Sequence, residues 1–388
     1  MKNSRLPGFY RLSLSERRRL IAELLELDAK AATSTWSSGG LSDERADVIV
    51  ENVLGIYALP WGITLNLLMN GVDRIAPMVV EEPSVIAAAS NAAKMIRAGG
   101  GFSVESLGRP SMIAQIELRK IPSAERFQAR LAAEQDSLID KANQATARLK
   151  ERGGGALRLA FRELGDGHGV VHLVVDTCDA MGANLVNTQA EAIGRELATL
   201  AEAELGLRIL TNLCDERLVQ VKGIVPFSAL AEGIAEGQAT AEAIESASRF
   251  AEADPYRAAT HNKGIMNGID SVVIATGNDY RAVEAGAHAY AARSGRYAPL
   301  SIWRKVDTGL FGEMTLPLAV GTVGGTLRVH DGAALALRIA EVKGAADLAA
   351  LAACVGLASN LAVLRALATE GIQRGHMALH ARSQAIRP

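Results

Sequence analysis

The sequence predicts an α+β protein in which a large, mostly helical domain carries a small inserted module of the ferredoxin-like, split βαβ kind. Three observations carry this. Near residue 111 the texture changes from Ala-rich helical runs to the β-like alternation "SMIAQIELRKI". The stretch that follows reads strand, helix, strand, strand, helix, strand, which is the order of a split βαβ unit. After it, Ala-rich helices alternating with Gly-rich turns resume. The insertion is expected to span residues 108–215, between parts of the larger domain at 1–107 and 216–372.

Taken in order, "ERRRLIAELLELDA" has Leu and Ile at helical spacing, with Ser13 or Ser15 available as N-cap. A Ser/Gly-rich break at 34–40 follows. "SDERADVIVENVLGIYALP" predicts a short helix entered through Ser42 and ending near Gly55, with Pro60 beyond. "EPSVIAAASNAAKMIRAGGGF" predicts the clearest helix of this half, since Pro83 suits a first turn and the glycines from Gly99 end it. Glu81 and Glu82 then stand just before or at a helix N-terminus. Inside the module, a long polar helix is expected over 123–152, then a Gly-rich break at 153–155. "ALRLAFREL" and "VVHLVVDTCDA" read as strands joined by the hairpin signal "GDGHG", and the second feeds a helix through "MGANLVNTQAEAIGRELATLAEAE". "LRILTNLCDERLVQVKGIV" closes the region. Farther on, "YAPLSIWRKVD" and "LFGEMTLPLAV" pair as a hairpin near Asp307 and Gly309, and "GTVGGT" is a Gly-rich turn. The last helix, "LAALAACVGLASNLAVLRALATEG", is expected to end near Gly371, leaving His376 on the final segment.

Composition narrows the function classes. The 388 residues suffice for two or three domains, and 49% hydrophobic with 22% charged residues is ordinary for a soluble globular protein. A net charge of −2 argues against a nucleic-acid partner, which would need clustered Lys and Arg. The basic run at Arg17, Arg18 and Arg19 reads as a solvated helix face. Cys178, Cys214 and Cys354 are odd in number and far apart, which fits reduced thiols and a cytoplasmic location. No metal-ligand spacing, apolar leader or membrane-length apolar run stands out, so neither a metal nor a membrane partner is expected.

Several ionisable groups lie in small, apolar, Gly-rich segments, where burial without a partner is costly, and this points to an enzyme. Glu81 reads as a partner for a helix N-terminus. Glu82, with apolar neighbours on both sides, has the setting for a raised pKa and a proton-donor role. Lys263, in "HNKGIMNGID", reads either as a surface lysine on a loop or as an oxyanion stabiliser beside a carboxylate. Asp279 follows the strand-like "SVVIATGN" and reads as a turn residue or a carboxylate delivered to a ligand. His376 in "RGHMALH" is a proton donor near the chain end, and its spacing to His380 is weak as a zinc pair. "DAMGANLVN" follows a strand and opens a helix, so Gly182 allows close backbone approach and the free N–H groups favour a phosphate. "GTVGGT" is a second, weaker phosphate-loop candidate, and "GDGHG" is a hairpin turn.

In order along the chain, "ENVLG", "EEPSVIAAAS", "DAMGANLVN", "HNKGIMNGID", "ATGND", "GTVGG" and "ATEGIQRGHMALH" resemble class II (bacterial-type) 3-hydroxy-3-methylglutaryl-coenzyme A (HMG-CoA) reductase, a likeness running from about Arg5 to His380. The resemblance implies interconversion of HMG-CoA and mevalonate plus CoA, by two successive nicotinamide hydride transfers through a hemithioacetal and mevaldate. It places the catalytic residues at Glu82, Lys263, Asp279 and His376. It implies substrate contacts at Ser84, Asn212, Arg257 and Asn267, with Arg11 for a CoA phosphate. Dinucleotide contacts fall on Asp179, Met181, Gly182, Ala183 and Asn184 in the inserted module, and on Gly321 and Gly324 in the second part of the larger domain. The cofactor is NAD or NADP, with NAD favoured. A homodimer or a higher multiple, with the site at the subunit interface, is expected. Residues 373–388 are the expected start of a C-terminal flap, which in the family runs on for some tens of residues where this chain stops at Pro388. The alternatives are a noncatalytic CoA- or dinucleotide-binding protein and a related acyl-CoA oxidoreductase.

Overall fold

The computed structural model describes residues 3–369. It opens with helices α1 (Leu14–Leu24), α2 (Ala29–Ser38) and α3 (Asp43–Ile49). The first N–H groups of a helix lack intrahelical acceptors, and here side chains supply them. Ser13 and Glu16 form a capping box on α1, Asp28 accepts from Ala31, and Ser42 accepts from Arg45. Helix α3 stops at Ile49, short of the Gly55 that the sequence predicts, because Val50 is already extended.

A hairpin that the sequence analysis does not anticipate comes next, β1 (Trp61–Met69) and β2 (Val72–Val79). Asn70 and Gly71 turn it with φ of 48° and 77°, the positive pair that an Asn-Gly two-residue turn supplies. A register shift between Thr64 and Leu67, with Asn66 at φ 67°, interrupts the alternation of β1. Trp61, Ile63 and Leu65 therefore pack in one cluster and Leu67 and Met69 in another, which hides the period of two. Helix α4 (Val85–Ala98) and strand β3 (Phe102–Leu107) follow.

The chain then builds β4 (Ser111–Arg119), α5 (Ala124–Ala145), α6 (Ala147–Glu151), β5 (Gly155–Gly165), β6 (His168–Asp176), α7 (Ala183–Leu200) and β7 (Glu204–Thr211). Their sheet is antiparallel in the order β5-β6-β4-β7. Met112, Ala114, Ile116 and Leu118 of β4 alternate into a core with Phe127 and Leu131 of α5 and Val186 and Ile193 of α7. Burial of each large side chain there stabilises by roughly 1.5–3 kcal/mol. The expected single helix over 123–152 is broken at Thr146 (φ −134°, ψ 49°). Thr146 Oγ1 accepts from the buried Gln189 at 2.6 Å, and Asn143 Oδ1 accepts from Ala156 N, so side-chain bonding to neighbours occupies the junction.

Returning, the chain forms β8 (Leu218–Val225), α8 (Phe227–Leu230), α9 (Ile234–Ala253), α10 (Pro255–Ala275), α11 (Tyr280–Ala291), β9 (Ser301–Val306), β10 (Gly309–Pro317), α12 (Asp331–Ala340) and α13 (Ala345–Ala368). Six strands make a second sheet, ordered β2-β1-β3-β8-β10-β9. Strands β3 and β8 pair from Phe102↔Gly223 to Leu107↔Leu218, so the chain leaves and re-enters this sheet on adjacent strands. Helix α13 is long and apolar enough to cross a membrane, yet 83% of its apolar window is buried inside the protein, where it is the central core helix. The segment around Lys263 is not a loop but part of α10. Its Gly268 is there for packing, since a Cβ would lie 2.7 Å from the Val355 carbonyl oxygen of α13.

Candidate active site

Lys263 and Asn267, one turn apart on α10, point at the segment between β2 and α4. Lys263 Nζ donates to Glu82 Oε2 at 2.9 Å, and Asn267 Nδ2 donates to the same oxygen at 3.3 Å. Glu82 thus faces a cation and an amide, not the apolar walls that its sequence neighbours imply. The pair is open to solvent, with side-chain exposures of 61% for Lys263 and 32% for Glu82. Such a carboxylate and ammonium can hold and exchange a proton beside a carbonyl oxygen, with the amide fixing the geometry. Ser84 adjoins Glu82 at the N-cap of α4, in the left-handed region at φ 77°. Asp270, one turn beyond Asn267, continues the stripe; burial and its bond to Glu284 push its carboxyl up to about 9. Glu284 also binds His288 at 2.5 Å, and His288 Nδ1 lies 2.6 Å from the Tyr297 hydroxyl, which accepts from Asn262, the neighbour of Lys263.

A second group gathers where the module meets the larger body. Ala180 and Val323 form a parallel bridge, and Thr322 N donates to the Asp179 carbonyl at 2.8 Å, so "DAMG" and "GTVGG" lie side by side. Gly321 is pressed against the Met181 nitrogen, 2.5 Å from where its Cβ would be. Asn278 clamps Gly321 from both sides, donating to its carbonyl at 3.1 Å and accepting from its N–H at 2.7 Å. Asp279 follows directly, capping α11 through Ala282 N at 3.1 Å and facing Arg281 at 3.7 Å. Gly182, at φ 98°, starts α7 with no side-chain cap, which leaves the first N–H groups of the helix free. A Cβ there would collide with Thr177. Ala183 and Asn184 form that first turn, and Gly324, at φ 91°, has open space around it. The structure therefore brings Asp279 to the Gly-rich loops and not to Lys263. Along α10, Lys263 and Ala275 are about 18 Å apart at the usual rise per residue.

A family model described as hydroxymethylglutaryl-coenzyme A reductase matches residues 13–381. The chain belongs to the hydroxymethylglutaryl-coenzyme A reductase family. It is 45% identical to the reductase of Archaeoglobus fulgidus over 99% of this chain and 87% of the relative. It is 36% identical to a probable reductase of Borreliella burgdorferi over 96% and 85%. Among solved structures, the class II HMG-CoA reductase of Streptococcus pneumoniae bound to NADPH in open conformations matches with a TM-score of 0.90 at 41% identity, covering 94% of this chain and 99% of that one. A second structure of that reductase gives 0.91 at 42%, covering 98% and 91%.

In this reductase the remaining expected residues are scattered. Asp179 also serves the fold: its Oδ1 accepts from Ala345 N at 2.8 Å and caps α13, whose own N-cap Gly344 has no side chain. Arg257 sits in the first turn of α10 with a buried Nη2 that has no hydrogen-bond partner among the described residues, and burial lowers its pKa. Asn212 is exposed, with its carbonyl packed on Gly286. Arg11 is exposed and stacks on Tyr10. His376 lies outside the described residues. Sequence reasoning missed Arg217, a buried guanidinium that donates to the carbonyls of Ala180, Met181 and Val320 and so ties both Gly-rich loops together. Burial lowers it to about 10. Nothing in "CDERLV" distinguishes it from a surface arginine.

Proposed function

We propose that the chain reduces HMG-CoA to mevalonate and CoA at a site built from two subunits. The observation that carries this is the Lys263–Glu82 contact at 2.9 Å with Asn267 on the same oxygen. Lys263 holds the oxyanion that forms at the thioester carbon and later at the aldehyde, Glu82 supplies and recovers its proton, and Asn267 fixes the carboxylate. Arg257, a desolvated cation on the same helix, suits the free carboxylate of the HMG group, with Ser84 and Asn212 as further contacts. His376 protonates the departing thiolate, and Arg11 meets a CoA phosphate. The module at 108–215 would hold the nicotinamide dinucleotide, and two reduced molecules bound in succession would each supply one hydride. Its fit is supported by the free N–H groups at the start of α7 and by the close approach of backbone at Gly182 and Gly321. NADPH is bound in the pneumococcal relative.

A homodimer is supported by two features. Asp279 is too far along the chain from Lys263 to serve the same site in cis. Beside α3, Val50, Ile56 and Tyr57 are exposed around an apolar cavity of about 950 Å³ that Trp36, Trp61 and Ile274 help to line, and Leu54 nearby is fully exposed. A second copy would cover that face. We place the enzyme in the cytoplasm, with free thiols as in a reducing compartment.

The test follows the nicotinamide absorbance with mevalonate, CoA and either NAD or NADP, and in the reductive direction with mevaldate and either NADH or NADPH. Turnover by the wild type that is lost in Lys263→Ala is the expected result. A folded wild type that binds CoA but turns over no substrate in either direction would sink the proposal.

A further inference from the structure

We propose that Arg148, Lys150 and Arg152 form the subsite for the 2′-phosphate of NADP(H), in place of the NAD preference that the sequence analysis favours. The inference rests on reading residues 176–184 as the dinucleotide loop. Helix α6 is docked on that loop. Cys178 Sγ donates to the Arg152 carbonyl at 3.7 Å, and a Cβ on Gly154 would lie 2.6 Å from the Asp176 carbonyl oxygen and 2.7 Å from Cys178 Sγ. From the other side, Gln189 on the second turn of α7 holds Thr146, the residue that starts α6. The break at Thr146 thus turns α6 toward the start of α7, where the dinucleotide phosphates would sit.

The three cations of this short segment are all exposed, and among the described residues none of their side chains makes a hydrogen bond or ion pair. Elsewhere in the module, Lys120, Arg130, Lys141 and Arg158 are each paired with a glutamate. Glu151 is the one carboxylate among the three, so the segment keeps an excess of positive charge. Selection for NAD needs a carboxylate free to accept from the ribose hydroxyls, whereas a 2′-phosphate calls for guanidinium and ammonium donors. The carboxylates of the loop itself are engaged: Asp176 accepts from Cys178 N at 2.9 Å and faces Arg109 at 3.9 Å, and Asp179 Oδ1 caps α13.

The test titrates NADPH, NADH, 2′,5′-ADP and 5′-AMP by calorimetry into the wild type and into a variant combining Arg148→Ser, Lys150→Ser and Arg152→Ser. All three sites are exposed, so the variant should keep the wild-type melting temperature. The expected result is wild-type binding of NADPH and 2′,5′-ADP at least about tenfold tighter than of their unphosphorylated counterparts, a difference abolished in the variant. Equal affinities in the wild type, or an equal loss for both kinds of ligand in the variant, would overturn the inference while leaving the loop reading intact. Failure of the folded wild type to bind any of the four would remove the loop reading and the inference with it.

Discussion

Two inactive variants of this reductase should restore activity to one another when coexpressed. The perturbations are Lys263→Ala and Asp279→Asn, the second chosen because Asn still caps α11. Within one chain the residues cannot meet. About 18 Å of helix separates Lys263 from the end of α10, and a lysine reaches only about 6 Å from its Cα with bonds near 1.5 Å. In the proposed two-fold dimer each site would take Lys263 from one subunit and Asp279 from the other. A mixed dimer then has one site carrying both lesions and one carrying neither. With random pairing, half the dimers are mixed, so about one quarter of all sites are intact. On the proposed roles each variant alone would lose a group that stabilises developing charge, typically worth about 10²–10³ in kcat, so the expected background is near or below about one percent. The assay is the nicotinamide absorbance rate of the coexpressed pool, with two affinity tags to confirm that mixed dimers are present. A rate no higher than that of the separate variants, in a pool shown to contain mixed dimers, would refute assembly of the site in trans.

Further outcomes follow from single contacts. Arg217→Ala leaves the carbonyls of Ala180, Met181 and Val320 without their donor in a closed interior, and unfolding free energy should fall by about 1–3 kcal/mol, read as a denaturant midpoint. Gly268→Ala drives a Cβ to 2.7 Å from the Val355 oxygen, and separating α10 from α13 should cost about 1–3 kcal/mol in the same measurement. His261 is buried beside Ser301, and burial holds it at about 4 against 6.5 when unfolded. The folded state binds fewer protons there, so its contribution is full above pH 6.5 and is lost as pH falls toward 4, by up to about 3 kcal/mol. Denaturation midpoints at pH 7 and pH 4.5 should converge in His261→Gln relative to the wild type; an unchanged gap would count against that assignment.

What the sequence makes legible is what its local chemistry determines. The inserted module is read from strand and helix periods because β4 and β6 each bury alternate residues against α5 and α7. The Asn70-Gly71 hairpin escapes because a bulge inside β1 switches the buried face partway along the strand, which erases the period on which detection depends. Segments such as "HNKGIMNGID" look like Gly-rich loops for a related reason, since glycine serves helix-to-helix approach as readily as a turn, and only the position of Val355 distinguishes them. The same limit governs the site. Glu82 and Lys263 are visible as isolated charges in apolar segments, but their contact joins residues 181 positions apart, and Arg217 takes its meaning from three carbonyls supplied by two other loops. Asp179 shows the converse. Its place beside a phosphate-type loop suggests a ligand contact, and the structure adds a role in the fold that no local pattern gives, its Oδ1 capping α13 where Gly344 has no side chain to offer. An ionisable residue in an apolar segment therefore marks a costly position, and whether a ligand or a distant backbone group meets that cost is decided by tertiary contacts that no local pattern encodes.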